Sequence, residues 1–224
     1  MDTISTSIAR VTFAGKSADH PHGGLRSVLG QEAWARLPEA VRLRFAEPAI
    51  AIDYVGKFDV VRASWLGRLL AFACLLLGTP VVPRTGLHVP AIVHVGPTPT
   101  GVAWNREYLW PNGGACLVRS TKTIDSSGGL VERLPAHLCM PLHVFERRGV
   151  LHFVSRGYYF DFGKRADGRA FRVPLPALLS PGTTHVEHVD EAHGWFRFTM
   201  TVMHPLFGEM FYQTGRFRAA GEQV

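Results

Sequence analysis

Lysine, cysteine and long apolar runs are all scarce in this chain. The only lysines are Lys16, Lys57, Lys122 and Lys164, against a combined Lys+Arg count of 24. The cysteines, Cys74, Cys116 and Cys139, are odd in number, lack CxxC spacing and sit among apolar neighbours. That pattern reads as buried thiols, not as a disulfide framework. GxGxxG, GxxxxGK[ST], GxSxG and HExxH are also missing, which removes the usual support for nucleotide binding, nucleophile-elbow hydrolysis and zincin proteolysis. Cys139 lies four residues from His143, but its run Leu138-Cys139-Met140-Pro141-Leu142 is core-like and argues against a nucleophilic thiolate. Met1 to Lys16 has neither the apolar stretch of a secretory signal nor transit-peptide enrichment, so the expectation is a cytoplasmic protein.

What is present is a hydrophobic content of 46% with 19% charge, enough for a sizeable core. The formal net charge is +6 and almost wholly arginine-borne. A positive field favours anionic ligands or acidic membrane surfaces, although a GC-rich coding bias gives the same arginine excess. The arginines are scattered, not striped along one element, so nucleic acid is not an expected partner.

The expected organisation is a loose leader over 1–24, with one short strand at Ile8–Phe13, followed by a single domain over 25–219. Short helices are read at Leu25–Leu29 and Gln31–Arg36. Pro38 opens a third, with Val41 and Phe45 as an apolar i, i+4 pair and Arg42 and Arg44 outward. After a strand over Ile50–Val61 comes the clearest helix, with Ser64 as N-cap, Gly78 as C′ residue and Pro80 as stop. The segment Trp65–Leu77 is apolar nearly all round. At ~1.5 Å per residue it is about 20 Å long, short of the ~30 Å hydrocarbon core, and Arg68 interrupts it. Burial inside the protein is the first reading, and a lid or docking helix making peripheral membrane contact is the second. From Ala91 onward turn signals recur every 8–12 residues, the rhythm of an antiparallel meander.

The C-terminal segment Trp195–Arg218 reads as a hairpin. With Pro205–Gly208 as the loop, His204 faces Glu209, Val202 faces Phe211, Met200 faces Gln213, Phe198 faces Gly215 and Phe196 faces Phe217. This face is apolar, yet it carries His204, Glu209 and Gln213 inward. On Trp104–Trp110, Arg106 shares a side with Trp104, Tyr108 and Trp110, so it is expected to point inward with them. On Val150–Phe160, Arg156 shares a side with Tyr158, but both sides are mixed and the register depends on the loop at Arg147–Gly149.

If these strands curl into a barrel of about eight, the interior holds one small ligand. Arg106 and Arg156 would bind its carboxylate or phosphate. His204 beside Glu209 would serve as a general base oriented by a carboxylate, unless the pair simply satisfies itself at the hairpin end. In His185-Val186-Glu187-His188-Val189-Asp190, neither strand face supplies a full set of zinc ligands without a partner such as His143 or His193, so no metal site is expected.

Leu29-Gly30 leading to Leu37-Pro38, then Pro141–Glu146, Ser155–Phe160, His204–Glu209 and Gln213–Phe217, resembles an uncharacterised bacterial family, domain of unknown function 4166. The likeness covers about residues 25–219, with the closing segment the most specific part. Members occur alone or attached behind domains resembling saccharopine dehydrogenases. The resemblance implies no established activity or catalytic residues, and no cofactor carries over to this chain. It does imply a substrate-holding or lid module working beside an oxidoreductase.

The combined expectation is an α+β fold: a strongly curved antiparallel sheet or incomplete β-barrel of about eight to ten strands, with two or three N-terminal helices. Its expected role is binding a small, largely apolar molecule with an anionic end, such as a lipid or isoprenoid. The expected ligand residues are Arg106, Arg156, Tyr158, Gln213, Phe198, Phe211 and Trp104. One alternative is a cofactor-free isomerase or lyase using His204 or Glu209 for proton transfer. The other is an interaction module for a partner NAD(P) oxidoreductase.

Overall fold

The computed structural model describes residues 24–46, 50–76, 82–111, 113–164 and 168–221. The expected strand at Ile8–Phe13 and the helix stop at Gly78 and Pro80 lie outside them. The described elements run α1 (Gly24–Leu29), α2 (Gln31–Arg36), α3 (Glu39–Phe45), β1 (Ile52–Ala63), α4 (Trp65–Leu76), β2 (Gly86–Thr98) and β3 (Gly101–Leu109). They continue with β4 (Ala115–Val118), β5 (Thr121–Ile124), β6 (Leu130–Arg133), β7 (Leu138–Arg147), β8 (Val150–Ser155) and β9 (Tyr158–Lys164). The chain ends with β10 (Ala170–Leu175), a 3₁₀ turn at Ala177–Leu179, β11 (Thr183–Asp190), β12 (Phe196–His204) and β13 (Gly208–Ala219).

Ten strands close into an antiparallel barrel in the order β1, β2, β3, β5, β6, β7, β8, β11, β12, β13, and β4, β9 and β10 lie off the ring. The ring closes where β13 returns to β1, from Tyr54 opposite Ala219 to Ala63 opposite Phe211. The barrel is therefore complete, not the open sheet also expected from sequence; closure removes the exposed ring edges that would otherwise template aggregation. The loop between β7 and β8 has two residues, Arg148 and Gly149, both at positive φ. This is the geometry that suits the twist of a tight hairpin, and it fixes the register left open above.

Strand alternation sends Tyr54, Phe58, Trp104, Tyr108, Phe153, Phe198 and Phe217 into one buried interior. Helices close its ends. At the lower end α3 inserts Val41 and Phe45, both buried, and Phe45 stacks on Trp104 with ring centroids 5.1 Å apart. Arg44 was expected outward but is also buried, its guanidinium carbon 3.6 Å from the Phe196 ring centroid. A helix lying on a surface buries positions i, i+3 and i+4 together, so Arg44 follows Val41 and Phe45 inward while Leu43 is exposed.

At the upper end α4 begins as expected: the Ser64 hydroxyl accepts a hydrogen bond from the Gly67 amide at 3.0 Å. Gly67 packs directly on β13, where a Cβ would stand 2.2 Å from the Met210 carbonyl oxygen. Ala71 and Cys74 face inward. The helix is not buried all round, because Trp65, Leu69 and Phe72 are 69%, 62% and 57% exposed. Among the described residues, no helix is long and apolar enough to cross a membrane.

Candidate functional site

Under α4 the barrel interior holds a cavity of about 130 Å³. Its apolar walls include Val61, Leu138, Met140, Val186, Val202 and Phe211, with Cys74 from α4 and Val82 above. A second space of about 30 Å³ lies toward α3, lined by Phe58, Trp104, Phe153, Phe196 and Phe198. The two share Arg106, Glu132, Met140, Thr184 and Val186 as a common wall.

That wall is charged. Arg106 Nη2 donates to Glu132 Oε1 at 3.5 Å, and Lys122 Nζ lies 3.3 Å from Glu132 Oε2. Burial alone would raise the Glu132 carboxyl, but the Lys122 ammonium and the Arg106 guanidinium overcome it and hold the group down at about 2. Burial pushes the Lys122 amine below its usual range, and Glu132 only partly restores it. Two cations thus share one carboxylate in a low-dielectric interior.

Neutral polar groups surround the triad. The Tyr108 hydroxyl, pushed up to about 12 by burial, donates to Gln213 Oε1 at 2.9 Å. The Gln213 amide nitrogen is left 3.8 Å from the Met200 sulfur, a weak acceptor. The Tyr158 hydroxyl pairs with Thr184 Oγ1 at 2.8 Å. On the lower side His188 is 5% exposed and rings of Phe45, Trp104 and Phe198 surround it. Burial, reinforced by Arg44, Lys122 and Arg106, holds its imidazole well below the usual range, so it is neutral. Its Nδ1 is buried with no hydrogen-bond partner among the described residues.

Of the residues singled out from sequence, Arg106, Tyr158, Gln213 and Phe211 line the larger cavity, and Trp104, Phe198 and again Arg106 line the smaller. Arg156 does not join them. It is exposed, and its guanidinium donates to His143 Nδ1 at 3.0 Å. The β8 alternation puts Leu151, Phe153 and Ser155 inside, and the break at Arg156-Gly157 resets the parity before Tyr158.

The opposition of His204 and Glu209 also fails. Val202 faces Phe211, Met200 faces Gln213 and Phe196 faces Phe217 as expected, but the register then shifts so that Met203 faces Glu209 and His204 faces Gly208. Met210 is the extra residue of this bulge. The Ser64 amide donates to its carbonyl at 3.0 Å, and its side chain packs beneath α4. Glu209 is thereby turned to the outside, where Arg62 meets it at 2.7 Å. His204 is buried, but its Nδ1 accepts from the amides of Leu206 and Phe207 at 3.2 and 3.3 Å. It organises the turn and lines neither space. The geometry offers no acid–base pair there.

Sequence reasoning passed over Glu132, Lys122 and Thr184. A faint signal existed for Glu132, since alternation over β6 groups it with Leu130. Lys122 and Glu132 become neighbours through the pairing of β5 with β6, and Arg106 reaches them from β3, which pairs with β5 on its other side.

A family model described as Domain of unknown function (DUF4166) matches residues 37–217. The chain belongs to this family. All of the residues lining the two spaces fall within the matched DUF4166 region. None of the curated proteins and none of the solved structures compared with the chain matches it.

Proposed function

We propose that the barrel holds a small, largely apolar molecule with an anionic end, the anion against Arg106 and the apolar body beneath α4. The observation that carries this reading is the charge at the cavity wall, where Arg106 and Lys122 face the single carboxylate of Glu132. The excess positive charge is buried, and an anion entering the cavity neutralises it; a bidentate carboxylate or phosphate suits a guanidinium best. The Gln213 amide supplies a second donor, exchanging a thioether for a stronger acceptor. Size narrows the class. An engineered apolar cavity of about 150 Å³ takes benzene, so about 130 Å³ fits a ring or branched chain, and a long acyl tail would have to run out past α4.

Mass spectrometry of small molecules released by denaturing freshly purified protein tests this. A recurring apolar acid is expected, and aromatic or branched carboxylic acids should raise the melting temperature of the wild type but not of Arg106→Gln. Repeated blanks, with no shift from any such acid, would overturn the reading.

The exposed face of α4 supports an entry route. Trp65, Leu69 and Phe72 stand outward beside the exposed Arg68, the pattern of a helix lying on an anionic bilayer surface. Vesicles containing phosphatidylserine should retain the protein and phosphatidylcholine vesicles should not; equal retention by both, or by neither, would remove this route.

A further inference from the structure

On the outside of the barrel, the pairing of β8 with β11 sets His152 directly opposite Glu187, with His185 two residues along the same face. His152 Nδ1 lies 3.1 Å from His185 Nε2 and 3.3 Å from Glu187 Oε1, and the third edge, His185 Nε2 to Glu187 Oε1, is 3.9 Å. Donor atoms held about 2.0–2.1 Å from a tetrahedral zinc ion lie about 3.3 Å from one another. The triangle has that size.

Hydrogen bonding puts a single imidazole N–H proton, on His152 Nδ1 or His185 Nε2, among two nitrogens and a carboxylate oxygen, whereas a divalent cation uses a lone pair from each. His152 is nearly buried and its ring stacks on Phe145 with centroids 4.8 Å apart, which fixes one ligand. His185 and Glu187 are partly exposed, leaving an open side toward solvent. The sequence pointed to His143 or His193 as the missing partner, yet His143 Nδ1 is engaged by Arg156. The third ligand comes from β8 instead.

We infer that His152, His185 and Glu187 form a site for a zinc-type divalent cation on the outer barrel face, bridging β8 and β11, with its fourth position open. The N, N, O donor set and the near-tetrahedral spacing select zinc over calcium or magnesium, which prefer more oxygen ligands.

Titration of the untagged, chelator-stripped full chain with zinc chloride by calorimetry tests this. One equivalent should bind, and cobalt(II) should give the visible bands of a four-coordinate complex. His185→Ala and Glu187→Gln, both at partly exposed positions, should each weaken binding at least ~10-fold, by analogy with the effect of losing a supporting partner alone, while His143→Ala leaves it unchanged. A ~100-fold zinc excess over Kd should raise Tm by roughly 5 °C or more. Absence of stoichiometric uptake, or uptake unaltered in both His185→Ala and Glu187→Gln, would overturn the site.

Discussion

At its lower end the barrel is stopped by α3, which drives Val41 and Phe45 among Trp104, Phe153 and Phe196 and leaves about 30 Å³. At its upper end α4 crosses with Gly67, Ala71 and Cys74 on its inner side and leaves about 130 Å³. The strands are common to both ends and carry large residues throughout. The difference lies in the covering helix: a bulky face plugs, and a small-residue face roofs a chamber. The charged wall of Arg106, Glu132 and Lys122 sits between the two, with Arg106 and Glu132 bordering both spaces and Lys122 the smaller alone.

The largest expected effect is at the plug. Phe45→Ala should destabilise by about 3–5 kcal/mol in urea denaturation, because the surrounding rings cannot collapse into the space. A loss below about 1 kcal/mol would mean that α3 does not hold the lower end shut.

Next is the wall itself. Glu132→Gln leaves Lys122 and Arg106 without their counter-charge and should destabilise by about 3 kcal/mol at neutral pH. The Glu132 pKa falls from 4.5 to about 2 on folding, so its contribution is complete above about pH 4.5 and is lost as pH falls toward 2. Lys122 is lowered instead, so its penalty is relieved only as pH rises toward 10.5, outside the acid window. Urea midpoints measured from pH 6 to pH 2 should fall more steeply for the wild type than for Glu132→Gln; parallel slopes would contradict the coupling.

At the roof, Gly67→Ala forces a Cβ against the Met210 carbonyl and should destabilise by about 1–3 kcal/mol. Cys74→Leu places two more heavy atoms toward the chamber and should change stability by no more than about 1.5 kcal/mol. It should nonetheless abolish the thermal shift given by small apolar acids. Smallest of all, Leu69→Ser should shift stability by only about 0.5 kcal/mol while reducing retention on anionic vesicles. If Leu69→Ser destabilises as strongly as Gly67→Ala, the outer face of α4 is packed and the two faces of the helix do not differ as described.

Much of this contrast was legible in the chain, and its failures are instructive. The side-sharing of Trp104, Arg106 and Tyr108, and the pairs from Phe196–Phe217 to Val202–Phe211, follow from two-residue alternation and are observed. The same rule failed for Arg156, where Gly157 at φ +90° interrupts the strand, and for Glu209, where one extra residue reverses the face. Gly208, at φ +69°, carried a visible hint of a three-residue turn. The bulge at Met210 carried none, because its cause is α4, more than a hundred residues earlier in the chain.

The sequence by itself determined most of the local order: the strands, their inward faces away from Arg156 and Glu209, the Ser64 cap and the Val41–Phe45 pair. These depend on backbone geometry and on neighbours a few positions away. Tertiary structure alone decided which charges meet. Glu132 finds Arg106 and Lys122, and His152 finds His185 and Glu187, only after the ring of strands has closed, because electrostatic and ligand contacts depend on distance in space, and alternation specifies a side without specifying a partner.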